Sequence, residues 1–207
     1  MHLSDGVLSF PVVVTTSVVA GVAVIYSIRG ITEEEIPRIS LMTAAFFVLS
    51  LINIPMGPSS IHPLLCGLIG IIIGKRSVLA IFIALLLQAL LFQHGGITTL
   101  GANILMLAIP AMVCHRLFLK LSNREHAKIQ FLGSVCGGLG VVGAVGLLTL
   151  LLALTSSFYT DGIFSVVRIL ILGHIPLLVI EAFLTGFIIS IIVKIRPGII
   201  ARNPVKA

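Results

Sequence analysis

Long apolar runs recur along this chain, separated by short stretches that are charged or broken by Gly and Pro. About 20 apolar residues wound as helix cross a bilayer core of about 30 Å. Taken in order, the runs predict seven transmembrane helices, over 7–28, 39–54, 61–74, 78–92, 97–118, 129–154 and 164–193. Pro11 falls in the first turn of the first helix, where a missing N–H costs little. The third run is short, about 14 residues or roughly 21 Å as helix. It follows Pro55-Met56-Gly57-Pro58-Ser59-Ser60, which is too broken for a helix. That combination predicts irregular backbone lining a cavity in the mouth of the bundle, because unpaired backbone groups cannot face lipid. The seventh run is long enough to tilt, with Pro176 as the expected kink.

Composition agrees with the pattern. The chain has 207 residues, 58% hydrophobic and 10% charged, with mean hydropathy +1.22. Soluble domains carry about 25% charged residues. The expectation is an all-α fold, a polytopic bundle of seven helices in the lipid bilayer, with residues 1–207 forming a single transmembrane domain. The polar, acidic start lacks the basic segment of a cleavable signal peptide. The net charge of +6 would suggest nucleic acid in a soluble protein. Here its distribution supplies a different reason, and no nucleic-acid partner is expected. Seven spans put the termini on opposite sides, and every Lys and Arg except Arg168 then lies on the side away from the N-terminus. The positive-inside bias places the N-terminus outside and the C-terminus in the cytoplasm. Cys66, Cys114 and Cys136 are odd in number and lack CxxC spacing, so they read as buried thiols rather than disulfides.

That orientation gives the histidines meaning. A chain starting Met1-His2 offers an α-amine, an amide nitrogen and an imidazole within a few ångströms. Such a nitrogen set suits Ni2+, Cu2+ or Co2+. His62, at the same outer end, would supply a fourth nitrogen and permit square-planar coordination. The alternative is an unstructured start and a solvent-exposed loop histidine. His94 sits in a Gly-Gly turn at this end, either as a plain turn residue or orienting His2. His174 lies inside the seventh run with Glu181 two turns along the same face. They form either a packing network or a support for the metal ligands, since an ionisable group within a span normally faces the bundle. Asn103 is close enough to the outer end to hold the His94 loop or the N-terminal segment. His115 and His126 belong to the cytoplasmic side. Gly133 and Gly137, with the stripe Gly140, Gly143 and Gly146, permit close helix packing. No Walker A motif is present, so an ATP-driven transporter built on this chain would take its ATPase from elsewhere.

These residues also form a pattern. Met1-His2-Leu3-Ser4-Asp5-Gly6-Val7-Leu8-Ser9 resembles the start of the CbiM/NikM family, the substrate-binding membrane components of energy-coupling-factor (ECF) cobalt and nickel importers. Three further segments match in order: Asn53-Ile54-Pro55 through Ser60-Ile61-His62; Leu91 through Asn103; and His174-Ile175-Pro176 with Glu181 through Gly186. The resemblance implies a seven-helix component with an added N-terminal helix. It implies a metal bound by Met1 through its amine, His2 through amide and imidazole, and His62. It also implies a transmembrane coupling subunit, a cytoplasmic ATPase pair, often a small accessory membrane protein, and residence in the prokaryotic cytoplasmic membrane. Transport in the family is thought to topple the binding component in the membrane. The substrate would be Ni2+ or Co2+, with no organic cofactor. Pro63 is more like cobalt members and Asn53-Ile54-Pro55 more like nickel members, while the planar nitrogen set favours nickel. The rival readings are a stand-alone secondary transporter or channel for a divalent cation, and a membrane enzyme with a histidine-bound metal. Paired carboxylates within spans are lacking for the first. For the second, Asp5 and Asp161 are the outer carboxylates available.

Overall fold

The computed structural model describes residues 2–56, 59–122, 126–159 and 165–195. Met1, Asp161 and the C-terminal tail fall outside these residues. The described chain forms seven α-helices: α1 (Phe10–Ile28), α2 (Ile36–Ser50), α3 (Cys66–Ile73), α4 (Ser77–Phe92), α5 (Leu100–Leu121), α6 (His126–Thr155) and α7 (Val166–Ile195). A two-stranded antiparallel hairpin, β1 (Ile54–Met56) and β2 (Ser59–Ile61), precedes α3. The all-α expectation therefore needs one amendment. The stretch expected to be an irregular loop pairs with itself, Ile54 opposite Ile61.

Among the described residues, five helical stretches are long and apolar enough to cross a bilayer: Phe10–Ile28, Cys66–Phe92, Leu100–Leu121, Lys128–Thr155 and Val166–Ile195. The Cys66–Phe92 stretch is not one rod. A 3-10 turn at Gly74–Arg76 separates α3 from α4, and Gly74 takes φ +54° there. Helix α3 is eight residues long and every one of them is buried. At roughly 12 Å it is too short to span alone. It is the apolar core of the bundle, packed between α5 and α6, with glycines where backbones meet. A Cβ on Gly67 would overlap the Cys136 carbonyl, and one on Gly70 the Ala111 carbonyl.

The helices alternate between two ends. One end gathers the N-terminal segment, the approach to α3 and the α4–α5 loop. At the other, Arg76 is 3% exposed and closes the α1–α2 connection. Its guanidinium donates to the carbonyls of Ser27, Arg29 and Gly30 and to both Glu35 carboxylate oxygens. Helix α1 has no basic residue in its last turn, so Arg76 satisfies carbonyls that a helix end leaves open. Helices α6 and α7 run antiparallel, Gly133 against Gly186 and Ile189, Gly137 against Glu181 and Thr185. Helix α7 continues through Pro176.

Candidate metal centre

The residues ahead of α1 are not a free tail. Leu3 is fully buried, and its peptide groups are held by the start of α5. Its N–H donates to Asn103 Oδ1 at 2.8 Å. Its carbonyl accepts from Thr99 Oγ1 at 2.6 Å, Gly96 N–H at 3.0 Å and Asn103 Nδ2 at 3.1 Å. Two residues on, the Asp5 carboxylate accepts from Thr98 N–H at 2.8 Å, Ile97 N–H at 3.3 Å and the Thr98 hydroxyl. The Thr98 hydroxyl leads the contacts that hold Asp5 below its usual carboxylate range. These bonds turn 97–99 away from helix, which is why α5 starts at Leu100 rather than at 97. Gly95, at φ +81°, passes so near that a Cβ there would lie 3.2 Å from His2 Cβ.

The segment so fixed presents His2, 3% exposed, with neither ring nitrogen partnered among the described residues. His62 enters from β2. Its Nδ1 lies 2.8 Å from the Pro63 carbonyl. A carbonyl can only accept, so Nδ1 carries the proton and Nε2 the lone pair. That Nε2 is buried and also without a partner among the described residues. His94 follows the left-handed residue Gln93 that ends α4. Its N–H donates to the Gln88 carbonyl at 3.2 Å, and Nε2 lies 3.5 Å from the Ser60 hydroxyl.

The three rings meet. His2 stacks on His62 at 4.5 Å between centroids and 23° between planes. His94 meets His2 edge-on at 4.6 Å and lies 6.2 Å from His62. One nitrogen from each ring lies within 4.8 Å of the others. Nitrogens sharing one ion at about 2.0–2.1 Å would sit roughly 3–4 Å apart, so little inward movement closes the set. Burial lowers the pKa of both His2 and His94, which keeps their lone pairs free near neutral pH. Orphaned buried nitrogens cost free energy, and three imidazoles converging in this way have the chemistry of a site for a borderline transition-metal ion.

The family model described as "Cobalt uptake substrate-specific transmembrane region", CbiM, matches residues 2–199. The chain belongs to the CbiM family. A Haemophilus influenzae protein named for metal transport is 33% identical over 205 residues, 98% of each chain. The Sorangium cellulosum cobalt transport protein CbiM is 29% identical over 98% of this chain and 95% of its own. A solved structure titled as a transition metal transporter superposes with a TM-score of 0.73 at 22% identity, covering 94% of this chain and 93% of that one, so its fold is shared. With its apolar helices, this CbiM-family chain is a multi-pass membrane protein.

The remaining residues singled out from the sequence lie outside the histidine cluster. Asn103 holds Leu3, one residue from His2. Glu181 is buried on α7, and its Oε1 accepts from Leu64 N–H at 2.6 Å and Leu65 N–H at 3.0 Å. It grips the turn after His62 and makes no hydrogen bond to the three rings. His174, also buried, lies 2.6 Å through Nδ1 from the Leu170 carbonyl. It lines a cavity of about 360 Å³ between α6 and α7 with Thr149 and Leu178, apart from the three rings. Sequence reasoning passed over Thr98, Thr99 and Ser60. The Thr-Thr pair beside a Gly-Gly turn and ahead of an apolar run is the signal that could have marked the first two as hydrogen-bonding residues at a helix start.

Proposed function

We propose that this chain captures Ni2+ or Co2+ as the substrate-specific subunit of an ATP-driven ECF importer. The observation that carries the reading is the stacked pair His2–His62, two buried imidazoles that each keep a ring nitrogen unpartnered among the described residues, joined by His94. His2 and His62 serve as ligands. The Met1 amine and His2 amide complete a nitrogen set as the family resemblance implies, and His94 lies close enough to orient His2 or to add a nitrogen. Asn103, Thr99 and Gly96 hold the segment that carries His2, and Asp5 latches it to the α4–α5 loop. Glu181 supports the site from α7 through the turn after His62, and His174 stands apart between α6 and α7.

The helices cross as seven spans of one domain, the short third crossing being completed by the 62–65 segment. The histidine end faces outward and the Arg76 end faces the cytoplasm of a prokaryotic cell, as the positive-inside bias requires. The chain performs no reaction on its cargo and uses no organic cofactor. ATP hydrolysis belongs to a cytoplasmic ATPase pair acting through a transmembrane coupling subunit, with a small accessory membrane protein. Fused relatives support such company. The chain matches 36% of a protein of Methanocorpusculum labreanum named as a fused cobalt transport protein, CbiMQ. It matches 33% of the fused nickel transport protein NikMN of Rhodobacter capsulatus, at 35% identity over 116 residues.

The test is equilibrium Ni2+ and Co2+ binding to protein with an authentic Met1 and a C-terminal tag. It is run beside His2→Ala and beside a form extended by one N-terminal glycine. One-to-one binding lost in both altered forms supports the reading, and the tighter ion names the preferred substrate. Equal binding in all three forms would refute it.

A further inference from the structure

Glu181 and His62 are far apart in sequence and share no hydrogen bond, yet a single peptide group joins them. The Leu64 N–H that donates to Glu181 Oε1 at 2.6 Å belongs to the same peptide unit as the Pro63 carbonyl. That carbonyl accepts from His62 Nδ1 at 2.8 Å. The peptide unit is planar and trans, so its N–H and C=O point in opposite directions. A carboxylate fixing one side fixes the carbonyl on the other. The carbonyl in turn sets the His62 tautomer and ring plane, leaving Nε2 free to meet His2.

The surroundings leave this turn few other supports. Leu65 sits in the left-handed region at φ +51°, which a side chain disfavours, and its side chain offers the start of α3 no hydrogen bond. Leu64 and Leu65 are buried, so water does not satisfy their amides. Glu181 Oε1 accepts from both. The backbone that carries this carboxylate is packed in the close α6–α7 contact, where a Cβ on Gly137 would overlap the Glu181 main-chain carbonyl.

We infer that Glu181 is a positioning residue for metal capture, acting through the Pro63–Leu64 peptide group to orient His62 and raise its basicity as a ligand. The inference rests on the reading of His62 as a metal ligand. Outer groups that orient a ligating histidine typically contribute ten- to a hundredfold in metal affinity.

The experiment uses the full chain with its native start, Ni2+ as probe, and four variants: Glu181→Ala, Glu181→Asp, Glu181→Gln and His62→Ala. Affinity, the visible d–d absorption of the saturated protein and the unfolding temperature without metal are recorded for each. Glu181→Ala is expected to weaken Ni2+ binding ten- to a hundredfold and to shift the d–d band away from its wild-type position. Glu181→Gln, whose side-chain carbonyl still accepts from both amides, is expected to restore the wild-type band and affinity to within about threefold. Where Glu181→Ala does not fold, Glu181→Asp, one methylene too short to reach both amides, serves in its place with the same direction of change. If His62→Ala loses binding while both shortened variants keep the wild-type band and affinity, this inference falls and the metal reading stands. An affinity loss in Glu181→Gln as large as in Glu181→Ala, with the band unmoved, also overturns it. Wild-type binding by His62→Ala would remove the metal reading and this inference together.

Discussion

Leu3 and Asn103 satisfy each other twice. The Leu3 N–H donates to Asn103 Oδ1 at 2.8 Å, and the Asn103 amide returns a bond to the Leu3 carbonyl at 3.1 Å. Both residues are buried, so neither water nor a nearby rotamer replaces the pair. Asn103→Leu keeps the volume and strands the Leu3 N–H. A buried donor left open costs about 2 kcal/mol. If that cost falls on the arrangement presenting His2, metal affinity drops about 30-fold. Thr99→Val is the contrasting variant. The Leu3 carbonyl still accepts from Gly96 and Asn103, so its affinity should stay within about threefold. Calorimetric Ni2+ titration in detergent micelles distinguishes the two.

Gly95→Ala probes the other side of His2. The residue sits at φ +81°, a conformation a side chain disfavours by about 1–2 kcal/mol. The added methyl would also lie 3.2 Å from His2 Cβ. The variant should fold with wild-type helical content, because Gly95 belongs to a loop. Its metal affinity should fall about tenfold, since relieving the strain moves the histidine cluster. Unchanged affinity would mean that the 94–96 loop tolerates displacement without loss of the site.

The helices were legible because this chain punctuates them strongly. Helix α4 ends at Phe92 where the Gln-His-Gly-Gly turn predicts it, whereas α2 runs Ile36–Ser50 rather than the expected 39–54, with Pro37 in its first turn and Ile54 already in β1. The convergence of His2, His62 and His94 was legible for the same reason. Alternating apolar runs return the chain to one end after each pair of crossings. What stayed hidden depended on burial and on distant pairs. Helix α3 reads as one more apolar run, because a core helix and a lipid-facing helix use the same side chains. The β1–β2 hairpin has three residues per strand, too few for an alternating pattern. The Glu181 bond to Leu64 spans 117 residues, and no local spacing encodes it. The Asp5–Thr98 latch was hidden likewise, since Ser4-Asp5-Gly6 reads equally well as a solvated turn.

Arg76 and Glu35 give a pH dependence separate from the histidines. Arg76 donates to Glu35 from Nε at 3.1 Å and from an η nitrogen at 2.8 Å, and these bonds hold the Glu35 carboxyl below its ordinary 4.5. A carboxylate with a depressed folded-state pKa adds stability that is complete above the unfolded value and is lost as pH falls through the folded one. Wild-type unfolding temperature should therefore decline below about pH 4.5, beyond any decline seen in Glu35→Gln. The effect should be modest, because the Glu35 side chain is 38% exposed and solvent screens the pair. Parallel curves for the two proteins would show that Arg76 draws its support from the α1 carbonyls alone.

Two glycines of α6, alike in sequence, should respond oppositely to alanine. A methyl on Gly137 would overlap the Glu181 carbonyl and lie 2.8 Å from Thr185 Oγ1, both on α7. The helices cannot keep their separation, and overpacking of this kind costs about 1–3 kcal/mol. Gly146 has nothing within 4 Å of the same position. Alanine there removes the helix penalty of glycine, a gain of about 0.5–1 kcal/mol. In a chain of this size each kcal/mol moves the unfolding temperature by about 2–4 °C. Gly137→Ala should unfold several degrees lower and Gly146→Ala slightly higher, as read by thermal unfolding in one detergent. The pair also separates packing from metal capture. Gly137→Ala displaces the backbone that carries Glu181 and should lower Ni2+ affinity, whereas Gly146→Ala should leave it unchanged. A Gly137→Ala protein with lowered stability and intact affinity would show that the turn after His62 is held independently of the α6–α7 contact.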